Sequence, residues 1–200
     1  LDQLGAVRFK EHHQKALVQI DVLGQQMRLP TKILDTIKRA AALHDHLKVL
    51  MPAAVMDKKE PLDSFDRAYI ENHSTMLAEV TRLFEFFHNE REILLYHQER
   101  YDGLGYPSGL KGDQIPMGAR LYAIADGVTA MLSERPYRPA LSGEQVVEEL
   151  LRNAGTQFDP QLVNVFIAAL EDNPALRLPE SYIEAKQKEA DLPKDATQTV

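Results

Sequence analysis

The sequence contains no cysteine, and that absence removes disulfides, thiolate nucleophiles, iron–sulfur clusters and cysteine-type zinc sites together. No uninterrupted apolar run reaches the roughly 18 residues of a membrane-spanning helix. An excess of positive charge is missing too. Lys and Arg number 23 against 30 Asp and Glu, a formal net charge of −7, which speaks against nucleic acid or a membrane surface as partner. No signal-peptide pattern is visible, and the chain opens on LDQLGAVRFKEHHQ without an initiator Met. The expectation is a cytoplasmic module fused to an N-terminal regulatory domain. What is present suffices for one sizeable core, since 44% of the 200 residues are hydrophobic. Seven His and many carboxylates are also present, so a metal, if bound, is held by imidazole and carboxylate.

Helical periodicity dominates, and no long β-branched alternation is visible. The fold expected is all-α, with helices at about 6–27, 31–46, 62–87, 90–99, 116–132, 143–153 and 160–171. Ser142 and Gln145 have the spacing of a capping box, and Asp159 before Pro160 reads as a cap followed by proline at the first helical position. Five of the ten glycines fall between 102 and 118, marking a loop. The domain is expected to span 1–171, with a polar, frayed or partly helical tail over 172–200.

The apolar stripes carry the chemistry. One stripe reads His12, Ala16, Ile20, Leu23, Met27, and a second reads Ile33, Ile37, Ala41, His44, Lys48 with Asp45 adjacent. A third reads Leu62, Phe65, Tyr69, His73, Met76, Val80; in the fourth helix His97 follows Ile93, and in the fifth Asp126 follows Ala119 and Tyr122. Each helix thus aims an ionisable group along its core-facing side. Taken singly, such a His is an ordinary hydrogen-bonded core residue. Five together, where a lone buried charge costs several kcal/mol, point to a shared metal centre between facing helices. His13, His46 and His88 lie off the stripes and are expected to be solvated.

LHDHLKV at 43–49, with its His44-Asp45 pair, and YHQERYDGLGYPSGLKGDQIPMGARLYAIADGVTAMLSERPYRPALS at 96–142 resemble the HD-GYP branch of the HD superfamily of metal-dependent phosphohydrolases. The resemblance runs from about 8 to about 170 and includes AGTQFDPQLV at 154–163. It implies an HD-domain bundle of about seven helices with a glycine-rich GYP loop. It also implies hydrolysis of cyclic di-GMP to pGpG or GMP in bacterial second-messenger signalling. One or two divalent ions per chain, of iron, manganese, nickel or zinc, are implied as cofactors. The matching ligand positions are His12, His44, Asp45, His73, His97 and Asp126, with Gln98 as a weak candidate. The resemblance casts Asp45 as the carboxylate that bridges two ions and Lys48 as a phosphate contact. Lys111 and Arg120 are further candidates for substrate phosphate, and the GYP loop is a docking place for a signalling protein.

Five departures bear on activity, one of them Thr129 where the pattern has a second Asp in the helix after the loop. Gln98 stands where the pattern has a second His, Arg8 where three-metal members carry Glu, Leu47 where it has Gly, and Ser74 where it has Pro. One metal site, from His12, His44, Asp45 and Asp126, is expected intact; the second, from Asp45, His73, His97 and residue 98, is compromised. Three functions stay open: an active cyclic di-GMP phosphodiesterase, a degenerate module that binds cyclic di-GMP or a partner protein without efficient hydrolysis, and an HD phosphohydrolase for another nucleotide. Asp102 is considered as a partner of His97, and Arg135-Pro136-Tyr137-Arg138 as a phosphate or partner contact or a structural turn.

Overall fold

The computed structural model of the chain describes residues 3–47, 58, 63–134 and 138–171. Lys48, Leu62, Arg135-Pro136-Tyr137 and the tail expected over 172–200 lie outside them. Among the described residues there are seven α-helices: α1 Gln3–Gln26, α2 Thr31–Leu47, α3 Ser64–Arg82, α4 His88–Tyr96, α5 Met117–Met131, α6 Gly143–Arg152 and α7 Pro160–Glu171. Short 3₁₀ turns lie at Glu85–Phe87 and Gly112–Gln114, and Ala154 and Phe158 form an isolated bridge. The all-α expectation therefore holds.

α5 sits at the centre, buried through Ala119, Leu121, Tyr122, Ile124, Ala125, Val128 and Thr129. A helix apolar on most sides needs neighbours on most sides, and α1, α2, α4 and α7 supply them. Ala16, Ile20 and Leu23 of α1 and Ile37 and Ala41 of α2 are fully buried at its flank. α6 is the most one-sided helix: Val146, Val147 and Leu150 face inward while Glu144, Glu148 and Arg152 are exposed. Both expected caps form. Ser142 Oγ accepts from Gln145 N at 3.3 Å while Gln145 Oε1 accepts from Ser142 N at 3.0 Å, and Asp159 Oδ1 accepts from Gln161 N at 2.8 Å. Gly118 lets α5 approach its neighbours, because a Cβ there would lie 3.0 Å from Ile93 Cδ1.

The expected helix over 62–87 is shorter than its pattern. Asp63 caps α3, accepting from the backbone N–H of Phe65 and Asp66, and Asp66 returns the bond to Asp63 N–H. At the other end the bonds tighten to Leu83 N→Val80 O and Phe84 N→Thr81 O, and Phe84 is extended. The run Leu83, Phe84, Phe86, Phe87 crowds apolar residues onto every side, so no single helical face can bury it; the chain turns, and the three Phe rings meet one another in tilted and edge-on contacts. The buried face of α3 also differs from the expected stripe. It reads Asp66, His73, Ser74, Leu77, Ala78 and Thr81, while Phe65 is exposed. Only His73 belongs to both.

Candidate metal centre

His44 lies one turn beyond Ala41 near the C-terminal end of α2, His73 one turn before Leu77 in α3, and His97 caps α4 one turn after Ile93. Apolar packing of the three helices therefore carries the three rings inward together. Their centroids are 4.7 Å apart for His44 and His97, 5.2 Å for His73 and His97, and 5.8 Å for His44 and His73. All three are buried, and each offers a ring nitrogen within 4.8 Å of the others.

The backbone decides two of the tautomers. His73 Nδ1–H donates to the Ile70 carbonyl, and His97 Nδ1–H donates to the Leu94 carbonyl at 2.8 Å. A carbonyl only accepts, so both protons sit on Nδ1 and each neutral ring presents a lone pair at Nε2. Those two Nε2 atoms are 3.3 Å apart. Two lone pairs at that distance repel unless positive charge lies between them. A proton is disfavoured as that charge: burial pushes the His97 imidazole well below its ordinary range, and the neighbouring His44 and His73 add to it. A metal cation satisfies the geometry, and imidazole donors with nearby carboxylates suit zinc, iron, nickel or manganese. Tyr122 steadies the third ring, its hydroxyl 2.7 Å from His44 Nδ1. Burial, then the charges of Asp126 and Asp45, hold that phenol well above its ordinary value, so it stays protonated.

The carboxylates enter from α2 and α5 and meet α1. Adjacent helical residues point about 100° apart, so His12 and His13 diverge onto different partners. His12 Nε2 is 3.4 Å from Asp126 Oδ1, and His13 Nδ1–H donates to Asp45 Oδ2 at 3.0 Å. Asp45 Oδ1 is 3.3 Å from His44 Nδ1. The charge of Asp126 acts on His97 and Tyr122, which ties the His12–Asp126 pair to the three rings. The tight group is thus His44, His73 and His97. Of the set His12, His44, Asp45 and Asp126, His44 belongs to this triad and lies against Asp45, and His12 lies against Asp126. His13, expected to be solvated, is turned onto Asp45. His46 and His88 are exposed, as expected. Sequence spacing missed His13 because it lies off the stripe, and it missed Tyr122 because a buried Tyr reads as core; the adjacent His12-His13 pair on one helix was the available signal.

The loop after α4 is fastened to the residues that follow His97. The backbone carbonyl of half-buried Gln98 accepts from Tyr106 N at 3.3 Å. Glu99 is buried, and its two oxygens accept from Ser108 N at 2.7 Å and Leu110 N at 3.1 Å. Gly105 passes so close that a Cβ there would lie 2.2 Å from Arg100 N, so only glycine fits. Asp102 pairs with Arg100 at 2.7 Å rather than with His97, and that guanidinium holds its carboxyl below the usual range. The Tyr106–Pro107 bond is cis. Burial, with Glu71 and Asp126 adding, pushes the Tyr106 phenol up to about 12. Lys111 is exposed on this loop, and Arg120 Nη1 donates at 2.7 Å to both Asp113 and Asp159.

Residues 4–162 match the HD domain family. The 3'3'-cGAMP-specific phosphodiesterase 2 of Vibrio cholerae serotype O1 is 33% identical over 171 residues, covering 83% of this chain and 32% of that protein. A probable cyclic di-GMP phosphodiesterase of the same organism is 32% identical over 191 residues, covering 90% of this chain and 41% of that protein. The chain thus spans less than half the length of these curated relatives. The solved structure of Bd1817, a HDG"Y"P protein from Bdellovibrio bacteriovorus, superposes with a TM-score of 0.65 at 17% identity, over 80% of this chain and 51% of that one; this likeness concerns the fold. The chain belongs to the HD domain family and is related to the HD-GYP cyclic di-GMP and cGAMP phosphodiesterases.

Proposed function

We propose that the chain is a metal-dependent phosphodiesterase that hydrolyses a cyclic dinucleotide, cyclic di-GMP foremost, to pGpG or GMP. The observation that carries this reading is the buried triad, in which two backbone carbonyls fix the protons of His73 and His97 and turn their Nε2 lone pairs toward one another. His44, His73 and His97 would hold one divalent ion, with Asp45 beside it, and His12 and Asp126 would serve as a further donor pair. Such an ion, when bound, lowers the pKa of water and offsets the negative charge that a phosphodiester presents to a nucleophile.

The chain's own residues do the rest. The Ile70 and Leu94 carbonyls keep two imidazoles in the ligating tautomer, and Tyr122 orients the third. Leu77, Ala78, Ile93 and Leu94 are buried about one turn from His73 and His97 along their helices, and burial of this kind strengthens charge interactions. Lys48, Lys111 and Arg120 are the cationic groups proposed for the substrate phosphates. A phosphate bound by Arg120 would compete with Asp113 and Asp159. Docking of a signalling protein on the loop at 102–118 belongs to the same proposal.

Gln98 favours a second reading, in which the chain binds the dinucleotide with little turnover. A neutral amide is a poorer metal donor than imidazole. The deciding experiment measures metal content and turnover of cyclic di-GMP and 3'3'-cGAMP by the native chain beside Gln98→His. The expected result is metal and turnover in the native chain, raised about tenfold or more in the variant. Ligand affinity without turnover in the native chain supports the second reading. A metal-loaded native chain that neither binds nor cleaves either dinucleotide overturns both.

A further inference from the structure

His13 sits one residue past the apolar stripe of α1, where a side chain ordinarily faces water, yet only 22% of its side chain is exposed. Its Nδ1 lies 3.0 Å from Asp45 Oδ2. An ionised carboxylate only accepts, so His13 donates through Nδ1–H. The other oxygen of Asp45 is 3.3 Å from His44 Nδ1. Asp45 is therefore approached on one oxygen by His13 from α1 and on the other by His44 of its own helix, and its side chain is only 4% exposed. A carboxylate gripped in this way has its plane set before any ion arrives.

We infer that His13 is a positioning residue: its Nδ1–H fixes the orientation of the Asp45 carboxylate and so prepares that oxygen pair for the cation of the triad. The inference rests on the metal-dependent reading above. Hydrogen-bond donors of this kind, one step removed from the ion, hold ligands in their binding orientation and strengthen metal affinity. The role needs a donor at the position of Nδ1. Asparagine supplies one at nearly the same place, whereas leucine fills similar volume and supplies none.

The test compares the native chain with His13→Leu and His13→Asn. Two measurements are made: the cobalt(II) dissociation constant by chelator competition, and the imidazole ¹⁵N shifts of the metal-free native chain. His13→Leu is expected to weaken cobalt binding about 10- to 100-fold, and His13→Asn to recover most of that loss. The ¹⁵N shifts are expected to show His13 protonated at Nδ1, the less common tautomer of a free imidazole. Native affinity in His13→Leu, or an Asn variant no better than the Leu variant, overturns the inference while leaving the metal-dependent reading standing. A native chain that binds no cobalt, manganese or iron overturns that reading. The hydrogen bond is then judged on the tautomer alone, and a His13 protonated only at Nε2 overturns it. A packing role would give no rescue by Asn.

Discussion

The histidine triad and the glycine loop are neighbours in the chain, joined at His97-Gln98-Glu99, yet they settle their polar groups in opposite ways. In the loop, acceptor meets donor: Glu99 takes two backbone N–H groups, Arg100 meets Asp102, and Arg120 joins Asp113 to Asp159. In the triad, acceptor is turned toward acceptor, with His73 and His97 Nε2 atoms 3.3 Å apart. A buried polar region closed on protein partners reads as architecture. One whose lone pairs converge reads as a place for a cation. Density of polar residues does not separate the two; the pairing of donors with acceptors does.

The contrast breaks most visibly at His97. His97→Leu removes one converging lone pair and leaves a buried apolar side chain of similar size. Turnover and metal retention should fall by more than about 100-fold, since loss of a ligand exceeds loss of a group behind it. Stability of the metal-free chain should change by only about 1 kcal/mol, because the apolar replacement relieves the facing acceptors. Metal analysis, turnover and urea unfolding of apo protein check the three parts. A large loss of apo stability would place His97 with the loop as architecture.

Glu99→Gln should do the reverse. An amide keeps one acceptor oxygen but turns its NH₂ toward the second loop N–H, so a donor faces a donor. The unfolding free energy should fall by about 2 kcal/mol, by the same amount with metal as without. Denaturant titrations under both conditions read this directly. A loss seen only in the metal-loaded protein would show that the loop depends on the centre and is not closed on its own partners.

This difference between the two regions also explains what the sequence could and could not tell. His44 and His97 were legible because a helical period of 3.6 places them over buried Ala41 and Ile93, whereas the stripe that carries His73 in the sequence, through Tyr69 and Met76, is not the buried face, which runs through Leu77. The capping pairs Ser142–Gln145 and Asp159–Pro160 were legible because their bonds span only a few residues. The grouping was not. That His44 joins His73 and His97, while His12 turns to Asp126 and His13 to Asp45, depends on rotations of whole helices about their axes. Periodicity leaves those rotations free by tens of degrees. The register of α3 illustrates it: Phe65 fits an apolar stripe, but Asp66 is drawn inward by its bonds to Lys58 and to the Asp63 backbone, and Phe65 goes to solvent. The helix break after Arg82 was hidden for the opposite reason, since an apolar run suits both a longer helix and a turn.

Arg120 ties the loop to the head of α7 through Asp113 and Asp159, and its substitution should have the smallest effect. Its two ion-pair partners are unequal: Asp113 is 87% exposed and Asp159 only 4%. Removing the guanidinium in Arg120→Met returns Asp113 to water at little expense. Asp159 loses an ionic partner but keeps the N–H donors of Gln161 and Leu162 at the head of α7. The expected loss is therefore about 1 kcal/mol, below that of a fully stranded buried charge. A double-mutant cycle with Asp159→Asn should recover most of it as coupling between the pair. If Arg120 also serves a substrate phosphate, as proposed, KM rises beyond what the loss of stability explains. That outcome would place Arg120 at the substrate as well as in the closed set of the loop, and closure on protein partners would no longer separate architecture from function at this residue.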